Sequence, residues 1–389
     1  MNLIQLEQEY LAHTYARFPL CLVQGSGAVL KDETGREYID LGSGIAVNTF
    51  GAADPEWQQA VIEQLGKLQH ASNLYYTEPN IRLAQMLCEK TGMKKVFFSN
   101  SGAEANECAI KAARKYAAQT LGSDYTTIIT LEHSFHGRTI TTLAATGQAV
   151  FHQQFQPLTP GFVHARPNDA EHLEQLLNQN KCAAILLEVV QGEGGVNALD
   201  VDYVQQAAKL ANQYGALLIV DEVQSGNGRT GKLYGYMHYN IQPDLVTTAK
   251  GLGGGLPIGA TLFGERVQNV YTPGDHGSTF GGNPVSCAGA LNILQRLDDD
   301  LMQQVQQKSE YIRNALHNAP GVRSVSGLGL MLGVDTLRDA SQVVQECMEQ
   351  GVLVLKAKDK IRLLPPLNIP NNLLEQAIET LKQVCAKQE

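Results

Sequence analysis

Lys250 is the residue whose setting most favours chemistry. It stands where a short apolar strand pattern ends and a series of glycines begins, in the stretch 243–260, PDLVTTAKGLGGGLPIGA. Removal from water disfavours the ammonium form, so a lysine held there can act as an amine nucleophile toward a carbonyl group. The alternative is a solvated lysine that opens a glycine-rich loop, because lysines usually lie exposed.

Asp221 is an acid at the end of a second apolar run, LLIVDEVQSG (217–226). A buried carboxylate without a partner is unfavourable, so we expect a cationic group beside it. A pyridinium nitrogen would suit, because an anion there keeps the ring protonated and able to accept electrons. A magnesium ligand and a structural salt bridge are the alternatives.

A candidate anion site comes earlier in the chain. Ser101, Gly102 and Ala103 open a predicted helix within the stretch 99–117, SNSGAEANECAIKAARKYA. The first turn of a helix exposes backbone N–H groups at the positive end of its dipole, which suits a phosphate. An ordinary capped helix is the alternative, since serine and glycine also favour plain caps.

The segment 130–139, TLEHSFHGRT, adds an aromatic ring and a guanidinium after a predicted strand. Phe135 can stack on a flat ring, and Arg138 can hold a carboxylate through two parallel hydrogen bonds. His133 and His136 have no carboxylate or cysteine at metal-ligand spacing, so we predict no metal site. Three more candidates are Glu193 in QGEGG (191–195), the segment HGSTFGGNP (276–284) and Arg362 in IRLLPPL (361–367).

These candidates form one chemical set. A nucleophilic lysine, an acid at a strand end, a phosphate cradle, a stacking aromatic and two carboxylate-binding arginines match pyridoxal-phosphate chemistry on amino acids. The glycine-rich fragments fit neither the dinucleotide-binding spacing nor the P-loop pattern.

The elements that must position this set alternate between short apolar strands and helices from Lys94 to Asp275, which predicts a mostly parallel sheet covered on both faces. The predicted strands are 96–99, 126–132, 183–189, 216–223 and 244–249. They end in polar residues, which are Ser99, Glu132, Glu188, Asp221 and Lys250. Ligands of open α/β sheets lie beyond the carboxyl ends of the strands, so we expect these ends to converge.

The two ends of the chain have a different pattern. Residues 1–20 begin as a helix that Pro19 ends, and 28–31 with 37–41 predict a β-hairpin. After Asn283 a long helix is predicted over about 284–317, followed by short strands and a helix. We therefore predict a large domain, 51–284, and a smaller α+β domain formed by 1–50 and 285–389.

Composition excludes several classes of protein. The 389 residues carry a net charge of −9, which argues against nucleic-acid or anionic-membrane partners. The 7 cysteines are scattered singly, as is typical of a reduced intracellular protein. The first residues match neither a secretory signal nor a transit peptide, and no apolar run is long enough to span a bilayer. We predict a cytoplasmic protein.

Seven stretches, in order, resemble the class III aminotransferases of fold type I, and among them those acting on acetylornithine in arginine biosynthesis. The stretches are SGAEANE (101–107), FHGRT (135–139), QGEGGV (191–196), DEVQSGNGRTG (221–231), AKGLGGGLPIGA (249–260), HGSTFGGNP (276–284) and RLLPPL (362–367). The resemblance implies transfer of the δ-amino group of N2-acetylornithine to 2-oxoglutarate, with pyridoxal 5'-phosphate as cofactor.

The resemblance also implies a role for each matching residue. Lys250 would form the Schiff base with pyridoxal phosphate, and Asp221 would pair with the pyridine nitrogen. The remaining cofactor contacts are implied for Gln224 at the ring hydroxyl, Phe135 on the ring face, and Gly102 with Ala103 at the phosphate. Ser278 and Thr279 are similar to residues that cross a dimer interface, Thr279 to the phosphate and Ser278 toward substrate. A homodimer with active sites at the interface is thus implied.

For the substrates, Arg138 resembles the residue that holds the α-carboxylate of acetylornithine, and Arg362 the one that holds the α-carboxylate of glutamate. Glu193 resembles a gate that pairs with Arg362 and swings away for glutamate. The chain has Gly44 where relatives acting on free ornithine tend to carry tyrosine, and Asn227 where methionine is common. Succinylornithine and ornithine stay open as substrates, and a pyridoxal-phosphate mutase or decarboxylase on the same fold is the alternative from another class.

Overall fold

The computed structural model describes residues 3–387. The helices are Leu3–Tyr10, Pro55–Leu65, Glu78–Thr91, Gly102–Thr120, Ile140–Ala145, Ala170–Gln179, Val201–Gln213, Pro284–Arg296, Asp299–Leu316, Ala340–Glu349 and Asn371–Cys385, with short 3-10 turns at Ala149–Phe151, Gly235–His238 and Lys250–Leu252. The strands are Leu22–Ser26, Val29–Asp32, Glu37–Asp40, Lys95–Ser99, Thr127–Leu131, Phe162–Ala165, Cys182–Leu187, Val190–Gln191, Asn197–Ala198, Leu217–Asp221, Leu245–Thr248, Gly259–Phe263, Val322–Leu328, Met331–Thr336, Val352–Leu353, Leu355–Ala357 and Lys360–Leu363.

A central sheet carries the polar strand ends. Within the described residues it has 7 strands, in the spatial order Lys95–Ser99, Gly259–Phe263, Leu245–Thr248, Leu217–Asp221, Cys182–Leu187, Thr127–Leu131 and Phe162–Ala165. Its inner strands are buried along their whole length, which explains their continuous apolar sequences. The predicted mostly parallel α/β sheet is confirmed.

One strand of this sheet runs against the others. Gly259–Phe263 pairs antiparallel with Leu245–Thr248 on one side and with Lys95–Ser99 on the other. The sequence reading missed it, because the strand follows directly on a glycine- and proline-rich turn that reads as a loop. The sequence pattern also did not predict Phe162–Ala165, which forms the edge of the sheet opposite Lys95–Ser99.

Within the described residues, three smaller sheets lie outside the central one, and one of them is only the pair Val190–Gln191 and Asn197–Ala198. The predicted hairpin is confirmed as Val29–Asp32 with Glu37–Asp40, and Val352–Leu353 joins it in parallel, so the end of the chain returns to its beginning. A second sheet is antiparallel and is formed by Val322–Leu328, Met331–Thr336, Lys360–Leu363 and Leu355–Ala357.

The long helix predicted over 284–317 is wrong. The chain forms two helices, Pro284–Arg296 and Asp299–Leu316, because Asp298 caps the second one by accepting a hydrogen bond from the backbone N–H of Leu301. An acid at this position and in the following turn favours a new helix start over continuation.

A left-handed turn joins the hairpin to the central domain. Ser43, Gly44, Ile45 and Ala46 have φ values of 41°, 64°, 63° and 61°. A β-branched residue such as Ile45 is rarely found in this region, and such strain persists only where the surrounding structure holds it. The turn is held by a buried contact, because the hydroxyl of Ser43 donates to the carbonyl oxygen of Leu364 at 2.5 Å.

Candidate active site

Polar strand ends meet in a cavity of about 480 Å³ at the carboxyl edge of the central sheet. Glu188, Asp221 and Lys250 line it, as expected from their positions at strand ends. Its other lining residues include Asn100–Ala103, Asn106, Phe135–Arg138, Val223 and Gln224. The remaining polar strand ends, Ser99 and Glu132, are not among the described residues that line it.

Lys250 lies at this edge with its pKa lowered. Burial is the main cause, and the nearby Arg362 guanidinium acts in the same direction. The carboxylates of Glu193, Asp221 and Glu188 oppose the shift. A lower pKa leaves a larger fraction of the lysine as the neutral amine, which is the nucleophilic form. The sequence pattern suggested this property.

Asp221 accepts hydrogen bonds from two side chains and one backbone N–H of its own chain. Its Oδ2 accepts hydrogen bonds from Asn106 Nδ2 at 2.7 Å and from His136 Nδ1 at 2.8 Å, and its Oδ1 accepts from the Val223 N–H at 3.0 Å. Thr247 Oγ1 in turn donates to Asn106 Oδ1 at 2.7 Å. Because an ionised carboxylate only accepts, this pairing places the His136 proton on Nδ1.

The sequence reading assigned no role to Asn106 and considered His136 only as a metal ligand. Both side chains are buried and converge on one oxygen of Asp221. The buried Nε2 of His136 has no hydrogen-bond partner within residues 3–387. Within the same residues, no group of three or more histidine, cysteine, aspartate or glutamate side chains is arranged to hold a metal.

The helix Gly102–Thr120 points its first turn at the cavity. Ser101 caps it, with its hydroxyl accepting from the Glu104 N–H at 3.2 Å. Across residues 3–387, the N–H groups of Gly102 and Ala103 find no acceptor, so they are available to an anion. A Cβ at residue 102 would lie 2.6 Å from a methyl carbon of Val223, so only glycine fits there.

Phe135 and Arg138 lie together on the loop after Thr127–Leu131. The backbone N–H of Phe135 donates to Glu188 Oε2 at 3.0 Å, which fixes the ring beside the cavity. The Arg138 guanidinium lies 5.6 Å from the centre of the Phe135 ring and 4.7 Å from that of Phe151. Burial and the Asp221 charge raise the pKa of Glu188 well above its usual value.

Arg362 and Glu193 form an ion pair next to Gln224, although neither is among the described residues that line the cavity. Arg362 Nη1 donates to Glu193 Oε1 at 2.5 Å and to Gln224 Oε1 at 3.1 Å. Glu193 lies in the turn between the short strands Val190–Gln191 and Asn197–Ala198. Burial alone would raise the pKa of Glu193, but Arg362 and, more weakly, Lys250 bring that pKa below its usual value.

Ser278 and Thr279 are not brought into the cavity of their own chain. Ser278 Oγ accepts from Asn100 Nδ2 at 3.2 Å, next to the lining, whereas Thr279 is exposed to solvent. Gly44 also lies off the lining, and a Cβ there would be 3.7 Å from Val47, which does line it.

Comparison with known proteins decides the family. The family model described as aminotransferase class-III matches residues 10–385. The chain belongs to the class III aminotransferases. It is 52% identical to the acetylornithine aminotransferase of Haemophilus ducreyi, over 98% of each chain.

Two solved aminotransferases have the same fold. The N-acetylornithine aminotransferase from Stenotrophomonas maltophilia is 36% identical, with a TM-score of 0.86 over 99% of this chain and 98% of that one. The ornithine aminotransferase from Toxoplasma gondii, solved with partial occupancy of pyridoxal phosphate at its active site, is 31% identical, with a TM-score of 0.94 over 98% of this chain and 93% of that one.

Class III aminotransferases depend on pyridoxal phosphate, and the cavity of this aminotransferase fits that cofactor. The two N–H groups at the start of Gly102–Thr120 suit its phosphate, and the carboxylate of Asp221 suits a protonated ring nitrogen. The Phe135 ring and the amine of Lys250 line the same space, which is large enough for the ring and a substrate.

Proposed function

We propose that this aminotransferase moves the δ-amino group of N2-acetylornithine to 2-oxoglutarate, giving N-acetylglutamate 5-semialdehyde and glutamate. The observation that carries the proposal is a pair of guanidinium groups on separate elements: Arg138 lines the cavity that contains Lys250, and Arg362 donates to Gln224, which lines the same cavity. Two such groups suit two substrates that each present a carboxylate. The acetylornithine aminotransferases among its relatives support the choice of first substrate.

Under this proposal the groups of the chain have distinct tasks. Bound pyridoxal phosphate supplies a carbonyl carbon for the amine and a ring that accepts electron density. Lys250 Nζ holds the cofactor and then takes and returns the proton of the carbon that bears the amino group. Asp221, fixed by Asn106 and His136, keeps the proton on the ring nitrogen, while Gln224 supports the ring hydroxyl.

The two carboxylate sites are used in turn. Arg138 holds the α-carboxylate of acetylornithine while the δ-amine reaches the cofactor that Lys250 would hold. During that half-reaction Glu193 neutralises Arg362, as in the ion pair described above. In the other half-reaction, 2-oxoglutarate or glutamate displaces Glu193 and places its own α-carboxylate on Arg362, so one cavity accepts two substrates of different length.

The proposal includes a homodimer with active sites at the interface, where Thr279 of one subunit contacts the phosphate bound by the other and Ser278 points toward substrate. Support comes from exposed apolar side chains near this segment, at Leu74, Tyr75, Tyr76 and Phe280. The proposed division at 51–284 keeps the whole central sheet in one domain. All 7 cysteines are unpaired, which supports a reducing compartment such as the cytoplasm. No helix within residues 3–387 is long and apolar enough to cross a membrane.

The test is a side-by-side assay of four amino donors with 2-oxoglutarate: acetylornithine, succinylornithine, ornithine and 4-aminobutyrate. We expect the highest kcat/KM with acetylornithine and no turnover by Lys250→Ala. A preference of about tenfold or more for another donor, equivalent to about 1.4 kcal/mol, would replace the substrate. Turnover without any 2-oxo acid would replace the reaction class with a mutase or decarboxylase.

A further inference from the structure

The backbone that carries Lys250 has a conformation that a lysine rarely adopts. Lys250 has a φ of 45°, in the left-handed region, at the start of the 3-10 turn Lys250–Leu252. A residue with a Cβ is destabilised there by the following carbonyl oxygen, so the surrounding structure must hold it. The turn comes soon after a buried strand, Leu245–Thr248, and is closed by backbone hydrogen bonds from Leu252 N–H to Ala249 O at 2.9 Å and from Gly253 N–H to Lys250 O at 3.0 Å.

Three side chains from separate parts of the chain donate hydrogen bonds to alternate carbonyl oxygens of this turn. Asn227 Nδ2 donates to Ala249 O at 3.2 Å, Thr49 Oγ1 to Gly251 O at 2.8 Å, and Trp57 Nε1 to Gly253 O at 3.0 Å. Two of these carbonyls flank Lys250 directly. Asn227 therefore restrains the peptide plane that precedes Lys250, and Thr49 restrains the carbonyl of the residue that follows it.

Asn227 is shaped for this contact. Its side chain is buried, and Nδ2 also donates to Thr248 Oγ1 at 2.9 Å. Its own φ is 56°, a left-handed value that asparagine tolerates better than most residues. Asn227 lies on the loop that starts at Asp221 and carries Gln224, so its amide ties that loop to the Lys250 backbone.

Thr49 reaches the other side of Lys250 from a different direction. Its hydroxyl is buried against Gly251 O, and its carbonyl oxygen accepts from the Leu367 N–H at 2.9 Å. Leu367 follows shortly after Arg362 in the chain. Neither Asn227 nor Thr49 is among the described residues that line the cavity, so neither touches the reacting groups.

We propose that Asn227 and Thr49 are positioning residues for Lys250. By fixing the carbonyl oxygens of Ala249 and Gly251, they hold Lys250 in its left-handed conformation. The Nζ atom then extends into the cavity at a fixed distance from Asp221. This inference rests on the cofactor-bearing role proposed for Lys250.

The experiment separates the side-chain contact from the backbone conformation. Asn227→Gly accepts a positive φ but removes the amide donor, and Thr49→Val removes the hydroxyl at nearly constant shape. Asn240→Gly is the matched control, because Asn240 has a φ of 53° and is exposed far from this turn.

Three quantities are measured for each purified homogeneous variant. The first is the rate at which apoenzyme and pyridoxal phosphate recombine, followed by visible absorbance across a pH series, with borohydride trapping and mass spectrometry to verify attachment at Lys250. The second is the single-turnover rate of each half-reaction, with acetylornithine and with glutamate. The third is the thermal unfolding midpoint of the apoenzyme.

We expect Asn227→Gly and Thr49→Val each to slow recombination and both half-reactions by about 2- to 10-fold, the range for one lost hydrogen bond. The decrease in rate should be the same with acetylornithine and with glutamate, because Lys250 serves both half-reactions. The pH midpoint of recombination should shift from that of wild type. Asn240→Gly behaves as wild type.

Wild-type recombination and half-reaction rates in both variants would overturn the inference. It is also overturned if only one half-reaction slows, or if the melting temperature drops while the rates and the pH midpoint stay constant. Turnover by Lys250→Ala is a different result, because it removes the proposed function itself.

Discussion

Replacing Glu193 with glutamine should tighten the binding of glutamate. Arg362 is only 3% exposed, and Glu193 is its one carboxylate partner within residues 3–387. Under the proposed roles, the α-carboxylate of glutamate must displace the Glu193 carboxylate before it can pair with Arg362. Glutamine keeps the length of the side chain and an acceptor oxygen but has no charge, so it is easier to displace.

The size of the effect follows from the bond that is weakened. A hydrogen bond to a charged group contributes about 1.5–3 kcal/mol, and one to a neutral group about 1 kcal/mol. The difference predicts roughly 0.5–2 kcal/mol of tighter glutamate binding, or about 2- to 30-fold in Kd. Binding of acetylornithine should change little, because its carboxylate is assigned to Arg138.

The assay is an absorbance titration of the cofactor-loaded enzyme with glutamate and, separately, with acetylornithine. Glu379→Gln is the matched control, since Glu379 forms an exposed ion pair with Lys382 on the last helix. Glutamate affinity that is unchanged or weaker in Glu193→Gln, with wild-type thermal unfolding, would refute the gate. A gain in affinity for both substrates would point instead to a general change in the cavity.

The pH dependence of the same pair has a definite sign. Arg362 holds the pKa of Glu193 below its usual value, so the ionised pair persists when the pH falls through the usual glutamate range. Its stabilisation is lost only as the pH falls further, through the lowered pKa. At and above pH ~5 the charge of Glu193 should therefore stay constant. We expect Glu193 to cause no change in the wild-type Kd for glutamate over that pH range.

Three further predictions concern the other sides of the cavity. Arg138→Ala should weaken acetylornithine by about 1.5–3 kcal/mol, roughly 10- to 150-fold in Kd, and spare the glutamate half-reaction; equal losses in both would contradict the division of roles. Gly102→Ala should lower the free energy of unfolding by about 1–3 kcal/mol and weaken pyridoxal phosphate in a fluorescence titration, because its Cβ meets Val223; wild-type cofactor affinity would contradict the crowding. Asn106→Leu should lower the free energy of unfolding of the apoenzyme by about 1.5–3 kcal/mol in urea, because buried Asp221 loses a donor, and unchanged stability would mean that His136 and Val223 suffice.

The central sheet was predictable because strands that are buried on both faces have continuous apolar sequences. Cys182–Leu187 and Leu217–Asp221 are fully buried and read as continuous apolar runs. Gly259–Phe263 is equally buried but follows glycines and a proline, so its local pattern indicates a loop. Local sequence also failed between Pro284–Arg296 and Asp299–Leu316, where apolar periodicity continues across a capped break.

The site was only partly predictable, because its key contacts join residues far apart in the chain. Asn106 and His136 reach Asp221 across 115 and 85 residues, and nothing in their own segments indicates which carboxylate they bind. The resemblance to a family named the groups that touch a cofactor. It marked Asn227 only as a departure from the common methionine and gave no indication of Thr49, although both side chains contact the backbone next to Lys250.

Asp221 and its neighbour Glu222 show why residue type and burial do not assign a role by themselves. Both are buried acids at the end of one strand, but alternation along the strand sends them to opposite sides. Glu222 accepts from Ser225 Oγ at 2.7 Å and from the N–H groups of Gly235 and Tyr236 at 2.9 Å and 2.7 Å.

These contacts close the loop that carries Gln224 and Asn227, and burial raises the pKa of Glu222 to about 7. The three hydrogen bonds that Glu222 accepts oppose this shift, because they favour the ionised carboxylate. Asp221 lines the cavity, where its Oδ2 accepts hydrogen bonds from Asn106 and His136. Under the proposed roles, the donors around each carboxylate therefore distinguish an acid that pairs with a cationic ring from one that supports the loop carrying Gln224 and Asn227.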